Sequence, residues 1–288
     1  MILNGQKNGA LFLKTMEEWT NELNEKEKKL WDRIEEYAKE DICVAFSGGV
    51  DSSLLLVMAD MMAKKSGKKV YAITADTLLH PKADLENAKK VLETTSCIHC
   101  VLKIDELTVP EMKENPKDRC YLCKKELYTK MLNFAKEKNC RWLLDGTNED
   151  DLHVYRPGLR AVRELGVVSP LADLGITKRE VRSFADKYGI SVAHRPSAPC
   201  LATRLPYGAR LDFALLAEID AAEQKMQAMG YENVRIRVHG EIARIEVDKE
   251  QFLRVMGEYE KIVSMLKSER LHYITLDLEG FRSGSMDK

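Results

Sequence analysis

No run of apolar residues in this 288-residue chain approaches the roughly 20 needed to cross a bilayer. The amino terminus, MILNGQKNGA, also lacks the charged-then-apolar order of a signal peptide. A cytoplasmic protein with no membrane partner is expected. An excess of either charge is missing too: 45 Lys and Arg face 46 Asp and Glu, a formal net charge of -1. That balance offers no global attraction to a polyanion, so nucleic acid is not an expected partner and any phosphate site must be local. There is no internal repeat and no low-complexity tract. The seven cysteines stand out, because an odd number in a chain kept reduced argues against a disulfide framework and for metal ligation or thiol chemistry. With 44% hydrophobic residues the composition is that of an ordinary globular protein, of a length that suggests two domains.

Residues 11–40 carry apolar positions at helical spacing among many charges, which predicts one or two amphipathic helices serving as a packing element. From there short apolar strands alternate with helical stretches: ICVAFS, SLLLVMADMMAKK, KVYAITAD, DLENAKKVLETT, IHCVLKI, KKELYTKMLNFAKEK and RWLLDG. This order predicts an α/β fold, a parallel sheet with helices on both faces joined by right-handed crossovers. After Asp151 the chain reads as a loop (HVYRPGLR), then a helix near TKREVRSFADKYG, then the proline-bearing loop HRPSAPCLATRLPYGARL. A helix, two strands, a helix (KEQFLRVMGEYEKIVSMLK) and a strand follow, which predicts a smaller C-terminal α+β domain. The expected division is a helical segment at 1–40, a main domain at 41–204, and a substrate or oligomerisation domain at 205–288.

SGGVDSS follows the first strand directly and opens a helix. Gly48 and Gly49 let main chain approach a phosphate without a Cβ, and the free amides from Val50 onward supply positive potential. Ser47, Ser52 and Ser53 add hydroxyl donors. Asp51 suits a phosphate site if it helps hold magnesium on a pyrophosphate. No Gly-Lys-Ser/Thr follows, so this is not a Walker A loop. It resembles the PP-loop, Ser-Gly-Gly-x-Asp-Ser, of ATP pyrophosphatases that activate a substrate by adenylation. Ligands of open parallel sheets bind beyond the carboxyl ends of strands, where AITADTLLHP and LDGTNEDD lie. The resemblance implies nucleotide contacts from Thr74, Leu78 and Gly146. Asp145, Asn148 and Asp151 are open to a second reading, as strand-end caps and turn formers.

The cysteines divide into types. Cys97 and Cys100 form a C-x2-C pair, Cys120 and Cys123 a second, and together they have the pattern of a zinc ribbon. Cys100 falls within a strand, however, and wrapping that pair around a metal would disrupt the sheet. Cys120 and Cys123 lie where a loop becomes a helix, among Arg119, Lys124 and Lys125, where dipole and cations favour thiolates. Cys200, on its proline-bounded loop with Arg195 and Arg204, is able to supply a third ligand; an idle pair and a lone nucleophile remain the alternative. Three thiolates leave one iron of a four-iron cluster open. Cys43 and Cys140 read as structural.

Beyond the loop, FSGGVDSSLL, DRCYLCKKELY, LDGTNEDDLHVYRPGLRA, SPLADLGITKREVR, APCLATRLPYG, RIRVHGEIARIEV and LDLEGFRSGSM together resemble the LarE family of ATP-dependent sulfur transferases, over residues from about 40 to 285. The resemblance implies ATP with magnesium, and a small-molecule substrate, pyridinium-3,5-biscarboxylic acid mononucleotide. Its carboxylate is adenylated, and sulfur replaces the activated oxygen to give the thiocarboxylate precursor of the nickel-pincer cofactor of lactate racemase. Two branches of the family differ in the source of sulfur. In one, the position matching Cys200 gives up its own sulfur and becomes dehydroalanine. In the other, three cysteines hold a [4Fe-4S] cluster fed by sulfide or a sulfur donor. Possession of Cys120 and Cys123 beside Cys200 resembles the cluster branch, and these three residues with Asp51 are the expected catalytic set.

Arg235 and Arg237, alternate residues of VRIRV, point to one face and match phosphate-binding arginines of the family; a solvated charged face is the alternative. Lys124 and Arg204 are further substrate candidates, and Glu223 a weaker one for metal. A homo-oligomer is expected. A tRNA-thiolating PP-loop enzyme would also use three cysteines, but it needs a basic, aromatic-bearing tract that this chain lacks. A GMP or NAD synthetase-type ligase would leave the cysteines unexplained.

Overall fold

The computed structural model describes residues 24–195, 199–282 and 284–286. Most of the expected N-terminal helical segment lies outside the described residues; its remaining helix, α1, runs Glu25–Tyr37, capped by the Asn24 side chain, which accepts from the Glu27 amide at 2.9 Å. Leu30, Trp31 and Ile34 at helical spacing are buried, so α1 is a packing element. No helix among the described residues is long and apolar enough to cross a membrane.

Alternating elements follow: β1 Ile42–Ala45, α2 Val50–Ser66, β2 Val70–Asp76, α3 Lys82–Leu92, β3 Ile98–Lys103, α4 Arg119–Glu137 and β4 Trp142–Leu144. The four strands form a parallel sheet in the order β3-β2-β1-β4. Strand side chains alternate faces, and the burial follows that rule. Ile42, Val44, Val70, Ala72 and Leu144 join α1 and α2 in one apolar core. Cys43, Tyr71, Ile73 and Leu143 face the other way and pack with Tyr128, Met131 and Ala135 of α4. Helices therefore cover both faces, as the alternating pattern predicts. Leu54, Leu55, Leu56 and Met58 of α2 are all inaccessible, which marks α2 as a helix buried nearly all round. It stops at Gly67, whose φ of 66° suits a left-handed cap.

Beyond β4 the chain winds through short helices: α5 Glu149–Leu152, α6 Gly158–Glu164, α7 Pro170–Asp173 and α8 Lys178–Lys187. The stretch HVYRPGLR, which reads as loop, thus runs into a helix. Pro157 at its N-cap sets φ to -52°, and the helix is too short to declare a 3.6-residue period.

The remaining elements are α9 Phe213–Ala228, β5 Val234–His239, β6 Ile242–Val247, α10 Phe252–Gly257, α11 Tyr259–Leu266 and β7 Tyr273–Leu276. β5 pairs antiparallel with β6, which pairs parallel with β7. The single helix predicted over KEQFLRVMGEYEKIVSMLK is broken after Gly257, a poor helix former, and at Glu258, whose carboxylate accepts from the Tyr231 hydroxyl at 2.9 Å.

The described residues gather into two compact units. The first takes in residues up to Asp76, Ala83–Ile104, and those from Cys120 to Arg195; the second takes in Thr77–Lys82, Asp105–Arg119 and the described residues from Pro199 on. Leu55 is inaccessible within the first unit's larger core. Leu55→Ala should lower stability by about 2–5 kcal/mol, read as a fall in the urea midpoint followed by circular dichroism.

Candidate functional site

In the first unit, crossovers run outward from β1 through β2 to β3 and then return to β4, so connections leave β1 and β4 in opposite directions. The crevice at the carboxyl ends of that strand pair is where an open parallel sheet takes its ligand. SGGVDSS leaves β1 there, and GTNEDD leaves β4 beside it. Gly48 has a φ of +72°, and a Cβ on it would lie 2.8 Å from the Asp84 carbonyl oxygen and 2.9 Å from the Ala88 amide nitrogen. A Cβ on Gly146 would lie 2.8 Å from the Ser52 amide nitrogen and 3.0 Å from the Asp51 Cβ. Both positions demand glycine. Val50, buried, anchors the start of α2, and the Ser52 hydroxyl donates to the Gly49 carbonyl at 3.2 Å and lies 3.2 Å from the Ser47 hydroxyl. Ser53 is inaccessible, and its Oγ has no hydrogen-bond partner among the described residues. A loop with bare main chain, hydroxyls and a helix start fits a polyphosphate.

Asp51 sits on the first turn of α2. One oxygen accepts from Lys178 Nζ at 2.5 Å, the other from Asn148 Nδ2 at 3.1 Å. An ammonium beside Asp51 meets the same electrostatic demand that a divalent cation would, so this carboxylate fits the part of magnesium ligand. Lys178 escaped the sequence reading, yet TKRE held a signal: Lys is disfavoured at a helix's first position, next to the positive end of the dipole. Its main-chain amide donates to Asp150 at 2.8 Å.

Asp145, at the end of β4, is buried and accepts from the Tyr128 hydroxyl at 2.9 Å, the Thr147 hydroxyl at 2.7 Å and the Ser169 hydroxyl at 2.5 Å. That satisfaction makes it a pin for the strand end. Burial and the Asp145 charge push the Tyr128 hydroxyl's pKa well up, so Tyr128 remains a donor. Asn148 caps α5 in a reciprocal capping box with Asp151, which also pairs with Arg156 at 3.0 Å. Lys124 approaches the same strand end, its Nζ 4.0 Å from Asp145. Thr74, buried on β2, is hydrogen-bonded to His99 at 3.0 Å. Leu78 is 57% exposed and belongs to the second unit.

The sheet sorts the thiols. Cys97 packs against the core that holds α2 and donates weakly to Asp60 at 3.7 Å, while Cys100 of β3 packs with the opposite core. Burial, then the Asp60 charge, pushes the Cys97 thiol's pKa up. A C-x2-C divided between two faces of a sheet does not make half of a zinc ribbon. Cys43 is hydrogen-bonded to Cys140 in the second core; that bond chiefly raises the pKa of Cys43, and it lowers that of Cys140. Cys120 lies in the first turn of α4 and Cys123 at the start of the second, the former exposed and the latter half-buried. Among the described residues no three His, Cys, Asp or Glu side chains are gathered as a metal cluster.

In the second unit Arg235 and Arg237 share one face of β5, and that face is buried. Arg237 donates from Nε to Glu246 at 3.2 Å and from Nη1 to the Thr203 carbonyl at 2.8 Å. Glu246, inaccessible, also accepts from Arg244 at 3.0 Å and from Ser285 at 2.6 Å. Arg235 donates to the Val234 carbonyl at 2.6 Å and lies 5.4 Å from the Phe281 ring centre. Burial, then the neighbouring Arg204 guanidinium, brings its pKa down to about 10, still charged at neutral pH. Arg204 pairs with Glu223, Nε to Oε1 at 2.9 Å and Nη2 to Oε2 at 2.6 Å. Glu223 also accepts the Ile236 amide at 2.8 Å, so three of its acceptor positions are taken by this chain. Arg204, Arg235 and Arg237 are gathered with the carboxylates Glu223 and Glu246, all nine-tenths buried or more, a set of guanidinium donors of the kind that suits an anion. Cys200 opens the turn Leu201–Arg204 and is half-buried. Asn115, missed in the sequence, braces that turn: its buried Nδ2 donates to the carbonyls of Ala202, Leu205 and Pro206 at 3.3, 3.2 and 2.9 Å.

Residues 21–117 match the PP-loop domain family. The chain is 35% identical over 248 residues to an uncharacterized protein of Synechocystis, covering 85% of this chain and 91% of that one. It is 32% identical over 247 residues to the pyridinium-3,5-bisthiocarboxylic acid mononucleotide synthase of Lactiplantibacillus plantarum, covering 85% and 88%. An uncharacterized protein of Methanocaldococcus jannaschii is 30% identical over 274 residues, covering 95% and 99%.

Gly48→Ala should strain the loop and weaken ATP binding about tenfold or more, measured by calorimetric titration against the unaltered chain.

Proposed function

This chain belongs to the LarE family of PP-loop sulfur transferases, and on that premise we propose that it converts pyridinium-3,5-biscarboxylic acid mononucleotide into the thiocarboxylate precursor of the nickel-pincer cofactor. The observation that carries the proposal is the glycine-only phosphate loop in the crevice between β1 and β4, in a chain related over 85% of its length to a synthase of the bisthiocarboxylic product.

A carboxylate is a poor electrophile, so its oxygen must first become part of a leaving group. The loop amides and hydroxyls from Ser47 to Ser53 hold the ATP phosphates, Gly146 keeps the facing wall clear, and Thr74 and Leu78 frame the base. Asp51 would hold magnesium, which when bound neutralises charge on the phosphates, while Lys178 exchanges Asp51 for the departing pyrophosphate. The substrate carboxylate attacks the α-phosphorus and pyrophosphate leaves. Sulfide sulfur then attacks the carbonyl carbon, the bond to the AMP oxygen breaks, and AMP departs with that oxygen. Lys124 orients the carboxylate, and Arg235 and Arg237 receive the substrate's phosphate.

Cys120, Cys123 and Cys200 are the residues that would hold a [4Fe-4S] cluster. Three thiolates would suit it, and the group would supply sulfide for transfer. The helix-turn setting of Cys120 and Cys123 supports this over donation of the Cys200 sulfur itself, because a sacrificial donor has no need of a paired thiol site. The chain's odd count of seven cysteines, which does not suit a disulfide framework, supports a reducing, cytoplasmic setting.

Anaerobic reconstitution should load about four irons per chain, and Cys200→Ala should abolish thiocarboxylate formation. Zinc alone on reconstitution, or loss of one sulfur and two hydrogens from the chain's mass after a turnover, would overturn the cluster assignment. Removing the phosphate from the substrate, leaving the nucleoside, should weaken its binding about tenfold to a hundredfold with the KM for ATP unchanged.

A further inference from the structure

Resting on the reading of Cys200 as a sulfur-handling residue, we infer that the buried Arg204–Glu223 pair is the clamp that positions the Cys200 turn against the phosphate-binding strand, and that Arg204 acts through Cys200 without touching substrate.

The donors of Arg204 are turned inward. Besides its two bonds to Glu223, Nη1 donates to the Pro199 carbonyl at 3.1 Å, the Cys200 carbonyl at 3.4 Å and the Thr203 hydroxyl at 2.9 Å. Thr203 closes the turn on the same Cys200 carbonyl, from its amide at 3.0 Å and its hydroxyl at 2.8 Å. One guanidinium thus gathers both carbonyls that flank the Cys200 residue. At 2% exposure it has no face left for a ligand.

Glu223 transmits the hold. It projects from α9 and accepts the amide of Ile236, the residue between Arg235 and Arg237 on β5. Arg237 closes the loop from the other side by donating to the Thr203 carbonyl. The Leu201 amide donates to the Leu79 carbonyl at 2.8 Å, tying the turn to a third segment. The turn that carries the sulfur and the strand that carries the anion site are therefore registered through one ion pair.

Stability alone does not account for such a pair. Removing two charges from water costs about as much as their attraction returns, and apolar residues of similar size often serve as well or better. What apolar residues cannot do is hold two main-chain carbonyls at fixed places. A displacement of about 1 Å between reacting groups costs roughly 10²-fold in rate, so registration is worth the desolvation.

The test uses Glu223→Gln, which keeps an acceptor for Ile236 but removes the charge, and the double variant Arg204→Met with Glu223→Leu, which removes the pair without leaving a lone buried charge. Retained circular dichroism and melting temperature select which of them is read. In the chelator-treated full chain, alkylation of Cys200 by iodoacetamide, followed by peptide mass spectrometry with Cys100 as the reference thiol, should speed up about tenfold as the turn opens more readily. In turnover, kcat for thiocarboxylate should fall about 10²-fold, with the KM for the mononucleotide and the pyrophosphate release rate within about twofold of the unaltered chain. Unchanged Cys200 alkylation in a folded variant would overturn the clamp. So would a raised KM with kcat preserved, the mark of a direct substrate contact. Should the unaltered chain form no thiocarboxylate at all, the functional reading falls while the alkylation result still judges the clamp.

Discussion

Main-chain amides grip an anion only where nothing stands between them and it, and that requirement shapes the first unit. Gly48 and Gly146 lie where a single carbon would collide with neighbouring backbone. The close approach depends on α3 lying hard against the loop and on β4 lying beside β1. Those placements depend in turn on a sheet whose two faces are both apolar, so that helices pack on each. The loop's chemistry is thus a consequence of packing on both sides of four short strands.

Charge is handled differently in the two units. In the first, carboxylates are satisfied locally: Asp145 by three hydroxyls, Asp51 by an ammonium and an amide. In the second, guanidinium groups pair with carboxylates at close range: Arg204 with Glu223, Arg237 with Glu246, and Arg244 and Arg282 with Asp277 at 3.4 and 3.2 Å. Near-neutral net charge therefore says little about local arrangement, because it sums over the whole surface while each buried group answers to its own neighbours.

Much of this was legible in the sequence because it is written in periodicity and in glycine. The strands, the helices that cover them and the SGGVDSS turn obey rules of spacing that need no tertiary information. Arg235 and Arg237 could be placed on one face by alternation, although nothing in VRIRV tells that the face is buried. Lys178 and Asn115 were missed because their partners, Asp51 and the carbonyls around the Cys200 turn, lie far away along the chain. Arg204 and Glu223 look like free functional groups in a linear string; only their mutual distance reveals that each occupies the other. The helices α5 to α7 are a turn or two long and below the length at which an apolar stripe declares itself.

The register of β4 against β1 has a bearing on how the protein comes into being. Ile42 pairs with Trp142, so the crevice is closed by a contact between segments far apart in the order of synthesis. Until β4 leaves the ribosome, the nascent chain holds three strands with the phosphate loop on a naked edge. Such long-range parallel pairing is slow to nucleate, and a nucleotide captured early by the half-built loop would find no opposite wall to keep it.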